Sequence, residues 1–202
     1  MKQPPHVAVV ILNYNGLQND FLPTYLPSVY LSNYTNLSIY VVDNGSTDGS
    51  LAYLREEGFV NLDTPLFEGQ PPHYLIDLKK NYWFAGGYNR ALKWVNADYY
   101  VLLNSDVQVE ANWIKPIVDL MESDPQIAAC QPKVRMVAEP ALLEHAGAAG
   151  GYLDTYGYPF CRGRLFDTVE PDKGQYDDVQ EVFWATGAAL FIRPACFHAF
   201  GG

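Results

Sequence analysis

Short runs of apolar residues alternate along the chain with segments in which apolar residues recur every three or four positions. Residues 7–12 are an unbroken apolar, largely β-branched run, and mostly apolar runs recur over residues 38–42 and 99–103. Such runs are typical of strands buried on both faces, whereas the wider spacing is typical of amphipathic helices. Strand and helix alternate at intervals of about 30 residues, the length of a βαβ unit. The pattern predicts an α/β fold with a mostly parallel, doubly wound sheet.

The same pattern gives expected bounds for the individual elements. We expect strands over residues 7–12, 38–42, 74–78, 99–103 and 127–132. We expect helices over residues 17–33 and 111–123, one that follows the loop after the second strand and ends near residue 57, and one that begins just after Gly86-Gly87 and ends near residue 96. Pro27 predicts a break or kink in the first helix, because proline lacks an N–H and clashes with the preceding turn. Residues 139–180 are rich in Gly, Tyr, Pro and acids and predict long loops or short antiparallel strands, before a final apolar run over residues 182–192.

Polar loops directly follow four of the predicted strands. They are Asn13-Tyr14-Asn15, residues 43–46, residues 81–90 and Asn104-Ser105-Asp106. The carboxyl ends of parallel strands meet at one edge of a sheet, so loops that are scattered in sequence should converge in space. Ligands of open α/β sheets bind just beyond this edge. We therefore expect the four loops to form one binding site.

Asp106 is the candidate metal ligand. Magnesium is held by one or two protein carboxylates together with substrate phosphate oxygens, so Asp106 predicts Mg²⁺ or Mn²⁺ bound between the protein and a diphosphate. The alternative is that Asn104 and Asp106 only form a turn or cap the following helix. Convergence of the four loops favours the metal site.

Asp43 ends the second predicted strand with an acceptor-only carboxylate. It can accept the imide N–H of uracil or thymine, or a ribose hydroxyl. The alternative is a turn in which the carboxylate closes onto the backbone of Asn44-Gly45. Both interpretations place Asp43 in the loop that faces the proposed site.

Gly86 and Gly87 precede a predicted helix, where glycines let the backbone approach a phosphate or a ribose closely. A turn without a ligand is the alternative for this pair. Asn89 and Arg90, on the first helical turn, can reach the nucleotide or hold Asp106, and Arg90 can also be a structural ion-pair partner.

Composition narrows the class of ligand and the compartment. A net charge of −10 argues against nucleic acid as a partner, because polyanion-binding proteins usually carry a basic face. Three cysteines without metal-ligand spacing argue against a disulfide framework and for a reducing compartment. We see no N-terminal signal segment and no apolar run of membrane-spanning length. We expect a cytoplasmic protein whose 202 residues form one domain.

Five segments resemble, in order, the successive motifs of family-2 glycosyltransferases with the GT-A fold, especially the rhamnosyltransferase-like members. The segments are residues 9–16, 41–50, 81–91, 102–106 and 184–193. The resemblance implies a Rossmann-like sheet with a small antiparallel acceptor-side portion, divided into a nucleotide-binding half over residues 1–106 and an acceptor-side half over residues 107–202. It also implies an inverting transfer of a sugar from a nucleotide-diphosphate donor, of UDP or dTDP type, to an acceptor hydroxyl on a glycan or lipid-linked saccharide.

Roles for individual residues follow from this resemblance. The residues expected to line the base, ribose and diphosphate are Asn13, Tyr14, Asn15, Asp43, Asn81, Gly86, Gly87, Asn89, Arg90 and Asn104. Asp106 corresponds to the last residue of the family's Asp-x-Asp metal motif, whose first position is Asn104 here, so we expect weak intrinsic metal affinity and metal binding together with the diphosphate. Trp184, Thr186 and Gly187 would form a sugar or acceptor wall, with a core strand carrying a glycine bulge as the alternative.

The family resemblance places the catalytic base in an acidic motif after the segment that ends here at Gly202. We therefore expect the chain to be truncated at its C-terminus, to lack that base and to be poorly active in transfer, although Asp154, Asp167, Asp177, Asp178 and Glu181 are available carboxylates. The resemblance also suggests a role in cell-surface polysaccharide synthesis, with peripheral membrane association of the full-length protein.

Two other functions compete with this interpretation. A nucleotide-sugar-binding domain without catalysis would keep the same pocket. A sugar-phosphate nucleotidyltransferase would require a Gly-rich loop with Arg or Lys after the first strand, and Asn13 to Gly16 contain no cation. A nicotinamide-binding Rossmann domain is disfavoured, since no Gly-x-Gly-x-x-Gly follows the first strand.

Overall fold

A computed structural model of the protein describes residues 3–62, 72–144, 149–166 and 168–201. The strands are β1 Val7–Asn13, β2 Leu37–Asp43, β3 Val60–Asn61, β4 His73–Asp77, β5 Tyr99–Asn104, β6 Ala129–Cys130, β7 Gly151–Leu153, β8 Pro159–Cys161, β9 Arg164–Leu165, β10 Thr168–Val169 and β11 Ala189–Ile192. The helices are α1 Phe21–Tyr30, α2 Ser50–Glu56, α3 Trp83–Ala91, α4 Ile114–Ser123 and α5 Pro194–Ala199.

The main sheet has seven strands in the order β3-β4-β2-β1-β5-β11-β6. Its first five strands pair in parallel, and β11 pairs antiparallel with β5 and with β6. The predicted mostly parallel sheet is therefore confirmed. Because β2 and β5 lie on opposite sides of β1, the direction of strand progression reverses between β1 and β5, and such a switch point leaves a crevice at the carboxyl ends of the strands.

Both faces of this sheet are buried, which explains the unbroken apolar runs. Val9 of β1 lies in one core with buried residues of α1, α2 and α4, whereas Val10 lies in a second core with buried residues of α3. Alternate residues of a strand point to opposite faces, so both positions must be apolar when helices cover both sides.

A second sheet of four short antiparallel strands, in the order β10-β9-β8-β7, supplies the antiparallel portion that the sequence predicts. An isolated bridge between Gly151 and Trp184 joins it to the segment that leads into β11. Lys133 also forms ion pairs with Asp172 and Asp177, which fasten the loop after β10 to the segment after β6.

Several predicted bounds were wrong. Helix α1 runs through Pro27 rather than breaking there. Pro27 has no N–H to donate to the carbonyl of Pro23 in the first helical turn, so the helix loses a single backbone hydrogen bond.

The predicted strand over residues 127–132 shrinks to β6, and only the end of the apolar run over residues 182–192 forms a strand, β11. Before β11, the backbone of residues 183 and 184 bonds to Gly151, whereas a side chain satisfies the next segment, since the amide of Thr186 donates to Gln131 Oε1 at 2.6 Å. Across the ranges given above, no helix is both long enough and apolar enough to span a bilayer.

Candidate functional site

The carboxyl ends of the parallel strands lie in one row, as predicted. Asn13 is paired with Asp43 across β1 and β2, and Asp43 is paired with Asp77 across β2 and β4. On the other side of β1, Leu12 is paired with Asn104 of β5. We call the row formed by Asn13, Asp43, Asp77 and Asn104 the strand-end edge.

Asn13 and Asp43 are fully buried and hold the loops after β1 and β2 together. Asn13 Nδ2 donates to Asp43 Oδ1 at 3.0 Å and to Ser46 Oγ at 3.2 Å. The second carboxylate oxygen accepts the backbone N–H of Ser46 at 2.9 Å. Asp43 therefore closes its own loop, as the turn alternative expected, but it does so through Ser46 rather than through Asn44-Gly45. Contact between Asp43 and a base stays a prediction.

The loop after β1 is fastened to the same region by Asn15. Its backbone N–H donates to Ser46 Oγ at 2.9 Å, and its Oδ1 accepts the amide of Thr47 at 2.8 Å. Asn15 adopts a left-handed φ of 53°, which asparagine tolerates better than most residues. The neighbouring Tyr14 is half-exposed, so its ring is available beside the strand-end edge.

Asp48 fixes the start of α2. Burial works against the charged carboxylate, but hydrogen bonds from the Ser50 hydroxyl at 2.6 Å and the Gln18 amide at 2.7 Å outweigh it and hold the pKa of Asp48 below its usual range. Gly49 is the N-cap residue of α2.

Asn44 is a site residue that the sequence did not reveal. Its side chain is nearly fully buried, and its Oδ1 accepts the backbone N–H of Tyr82 at 2.9 Å. Its Nδ2 donates to Asn81 Oδ1 at 3.1 Å and to the carbonyl of Trp83 at 3.2 Å. One amide side chain from the loop after β2 thus positions residues 81–83, which lead into the first turn of α3. In sequence, Asn44 looks like an ordinary turn residue, and only its partners distinguish it.

Gly86 and Gly87 lie inside α3 rather than before it, which corrects the predicted helix start. A Cβ at position 87 would lie 2.7 Å from Leu12 Cδ1 and 3.4 Å from Asn44 Nδ2. Gly87 therefore allows the helix to pack closely on β1. Tyr88 anchors the same helix, because its hydroxyl donates to the carbonyl of Leu103 at 3.1 Å, and burial raises its pKa.

Arg90 lies over the Tyr82 ring, 3.8 Å from its centroid, and donates to the carbonyl of Gly86 at 3.2 Å. Within the described ranges, no ion pair joins it to Asp106. The half-buried Asn89 lies beside it on α3. Asn89 and Arg90 therefore lie in the last turn of α3 rather than in its first turn as predicted, and contact with a nucleotide stays a prediction.

Asp106 is exposed just beyond β5 and has no hydrogen-bond or ion-pair partner in the part of the chain that the structure describes. It does not cap α4, which begins only at Ile114. A search of the same ranges finds no group of three His, Cys, Asp or Glu residues that could hold a metal. One carboxylate, with the Asn104 amide oxygen nearby in sequence, fits a hard cation whose other ligands are phosphate oxygens and water.

Residues 186–188 flank the strand-end edge. Ala188 accepts the backbone N–H of Asn104 at 3.0 Å, and a Cβ at Gly187 would lie 3.0 Å from the Phe84 ring. Trp184 instead packs on the second sheet, where a Cβ at Gly151 would lie 1.9 Å from its indole. The structure therefore brings Gly187 to the edge and gives Trp184 a packing role.

The alternative carboxylates are mostly engaged in structural contacts. Asp154 Oδ1 accepts two backbone amides in the turn between β7 and β8. Asp177 pairs with Lys133, and Asp178 pairs with Arg162 at 2.9 Å. Glu181 is exposed, and Asp167 lies outside the described residues.

Comparison with known proteins supplies two kinds of likeness. The family model described as "Glycosyl transferase family 2" matches residues 8–163. An "Uncharacterized glycosyltransferase" of Haemophilus influenzae is 27% identical over 139 residues, which are 69% of this chain and 40% of that protein.

Solved structures share the fold at low sequence identity. The mannosyltransferase PcManGT from Pyrobaculum calidifontis, in complex with GDP-Man and Mn²⁺, superposes with a TM-score of 0.62 at 17% identity, over 98% of this chain and 47% of its own. TarS 1–349 of S. aureus, in complex with UDP-GlcNAc, superposes with a TM-score of 0.53 at 17% identity, over 64% of this chain and 34% of its own. These likenesses confirm the predicted fold class. The chain spans less than half the length of each of these three proteins.

Proposed function

The chain belongs to glycosyl transferase family 2, and from this premise we propose that it binds a nucleotide-diphosphate sugar for transfer to an acceptor hydroxyl. The proposed donors are UDP- and dTDP-sugars, the acceptor is a glycan or lipid-linked saccharide, and the transfer inverts the anomeric centre. Donor binding by the two structural neighbours, whose complexes contain GDP-Man and UDP-GlcNAc, supports a donor of this general class.

The observation that carries the proposal is the position of Asp106. It is an exposed carboxylate without a partner in the described ranges, directly after β5, and the sheet changes direction between β1 and β5. A carboxylate that only shaped its loop would be expected to bond a nearby backbone N–H, as Asp43 and Asp154 do. Its freedom supports a role in binding a cation together with a diphosphate.

Catalysis by this site requires stabilisation of the departing diphosphate and removal of the acceptor proton. A divalent cation bound at Asp106 would supply charge stabilisation to the leaving group. The chain's own residues would orient the donor: the loops after β1 and β2 are held rigidly through Asn13 and Asp43, and Asn44 holds the start of α3 beside them. Such preorganisation fixes a ligand without reorganisation during the reaction.

A nucleotide-sugar-binding domain without catalysis is the second candidate function. The contacts made by the acidic residues of the second sheet region favour this alternative. A general base must reach the acceptor hydroxyl. Asp154, Asp177 and Asp178 are held in turns or ion pairs of the second sheet region, which makes them poor candidates for the base. A nucleotidyltransferase is disfavoured, because the loop after β1 contains no cation.

Calorimetric titration of UDP, dTDP, GDP and ADP, each with and without Mg²⁺ or Mn²⁺, tests the donor site. We expect metal-dependent binding of at least one pyrimidine nucleotide. Asp106→Ala should weaken that binding about 10- to 100-fold, the usual effect of losing a charged ligand contact of about 1.5–3 kcal/mol.

Asp119→Ala is the matched control, since Asp119 is an exposed carboxylate on α4 that pairs only with Lys115 among the contacts of the described residues. It removes the same charge away from the strand-end edge and should leave binding unchanged. Absence of binding by every nucleotide would refute the proposal, as would equal losses in the two variants.

A further inference from the structure

Trp83 combines strain with exposure. It adopts a φ of 60°, in the left-handed region that favours glycine, and its side chain is 82% exposed. A bulky residue in this region is a true outlier, because its Cβ crowds the backbone. Exposure means that burial of the indole does not compensate for that strain. Conformations of this kind persist when the surroundings impose them, and they concentrate at functional sites.

The surroundings that impose this conformation belong to the strand-end edge. The backbone N–H of Trp83 donates to Asn81 Oδ1 at 2.8 Å, and its carbonyl accepts Asn44 Nδ2 at 3.2 Å. Asn44 also holds the preceding residue, Tyr82. The backbone is therefore fixed on both sides of the Trp83 side chain, and the indole projects into solvent.

The position of Trp83 connects it with the segment before β11. Phe84, the next residue, packs edge-on against Tyr88 and contacts Gly187. Residues 186–188 then reach the end of β5, where the carbonyl of Ala188 accepts the backbone N–H of Asn104. Trp83 thus stands at the rim of the site, between the loop after β2 and the segment that flanks the end of β5.

We propose that the Trp83 indole is a stacking platform for the face of a pyranose ring at this rim. An indole offers a wide apolar surface with a polar N–H at its edge, which suits a sugar that presents C–H groups on one face and hydroxyls around it. The ring can belong to the donor sugar or to an acceptor sugar. The proposal rests on the proposed function, and its test separates the failure of one from the failure of the other.

Indole N–H signals in a proton–nitrogen NMR spectrum give a direct readout. The chain has four tryptophans, and the signal lost in Trp83→Phe identifies Trp83. Trp94 is the internal control, since it is 70% exposed and follows the opposite end of α3. The donor arm compares UDP-glucose, UDP-GlcNAc and GDP-mannose with UDP and GDP. The acceptor arm uses methyl glycosides of common hexoses and short oligosaccharides without nucleotide.

We expect sugar-bearing ligands of at least one arm to shift the Trp83 signal while the Trp94 signal stays in place. Trp83→Ala should weaken binding of those ligands about three- to tenfold, typical of one aromatic stacking contact, and should leave binding of the bare nucleotide unchanged. A response in the donor arm assigns the platform to the donor sugar, and a response confined to the glycosides assigns it to the acceptor.

Other outcomes overturn one proposal without the other. Equal weakening of UDP and UDP-glucose by Trp83→Ala would mean stacking on the base and would refute the sugar platform. Nucleotide binding with no Trp83 response in either arm would also refute it while leaving the proposed function intact. A Trp83 response to glycosides without binding of any nucleotide would refute the donor site alone.

Trp83→Gly tests the strain directly. Glycine adopts a φ of 60° without steric conflict, so this variant should melt about 2–4 °C higher than Trp83→Ala, which retains the strained backbone. A gain in stability together with weaker sugar binding is the expected trade-off. Equal melting temperatures of the two variants would contradict the idea that this backbone is held under strain to present the indole.

Discussion

Replacement of Asn44 by alanine should destabilise the protein more than removal of any exposed asparagine. The Asn44 side chain is 2% exposed and makes three hydrogen bonds to the residues that begin α3. Alanine removes all three bonds and leaves the N–H of Tyr82 without its partner. The helix start would lose the contacts that fix it to the loop after β2.

The magnitude follows from the number and burial of these bonds. Each intramolecular hydrogen bond contributes a net of about 1 kcal/mol, and a buried group left without a partner costs about 1–3 kcal/mol. Some of the loss is recovered where water reaches the freed groups of residues 81–83, which are only partly buried or exposed. We expect a loss of about 2–4 kcal/mol in the free energy of unfolding, and a melting temperature lower by about 5–15 °C.

Urea unfolding followed by circular dichroism measures this loss, and amide hydrogen exchange of Tyr82 localises it. Asn33→Ala is the matched control, because Asn33 is exposed and its Nδ2 donates only to Asn112 Oδ1 among the side-chain bonds of the described residues. The control should change stability by less than about 0.5 kcal/mol. A similar small change in Asn44→Ala, with unchanged exchange at Tyr82, would refute the assigned role of Asn44.

Three further changes have expected outcomes. Arg193→Lys should cost about 2 kcal/mol in urea unfolding, because lysine cannot reproduce the fan of hydrogen bonds that the guanidinium makes to Tyr99 and nearby carbonyls. Burial lowers the pKa of His73 below 6.5, so the melting temperature should fall as the pH drops below 6.5, where this imidazole is protonated in the unfolded chain but not in the folded one. His73→Phe should reduce that fall in melting temperature. Gly45→Ala should lower the free energy of unfolding by about 2 kcal/mol or more, because the new Cβ would lie 2.7 Å from the backbone carbonyl carbon of Lys80. Gly58→Ala meets open space and should cost about 1 kcal/mol in the same assay, from its left-handed φ of 87° alone.

The parallel half of the fold could be predicted from the sequence because its strands are buried on both faces. The ends of the expected strands over residues 7–12, 38–42 and 99–103 differ from those of β1, β2 and β5 by at most one residue. A strand buried on both faces is apolar at nearly every position, so its own residues identify it without knowledge of its neighbours. Convergence of the loops at the strand-end edge then follows from parallel pairing alone.

The start of α3 could not be predicted, because its determinants are distant in sequence. Tyr82 at the N-cap makes no side-chain cap, and besides the local bond from Trp83 to Asn81 the bonds that fix the helix start come from Asn44, which lies 38 residues before Tyr82. A local pattern contains no record of such a partner. The sequence therefore predicted Gly87 before the helix, in a position suited to binding a phosphate. In the structure Gly87 lies inside α3 and packs closely on Leu12.

The loops at the strand-end edge are held together mainly by uncharged side chains, and this composition bears on how a donor would bind. Asn13, Asn15, Asn44 and Ser46 hold the loops, while Asp43 is a buried carboxylate already engaged with its neighbours. The exposed carboxylate of Asp106 stands in a chain with a net charge of −10, so an approaching diphosphate meets repulsion unless a cation accompanies it. A cation held by the single carboxylate of Asp106 lacks enough charged protein ligands to bind tightly alone. We infer that nucleotide and metal bind this site as a unit, each supplying the charge that the other requires.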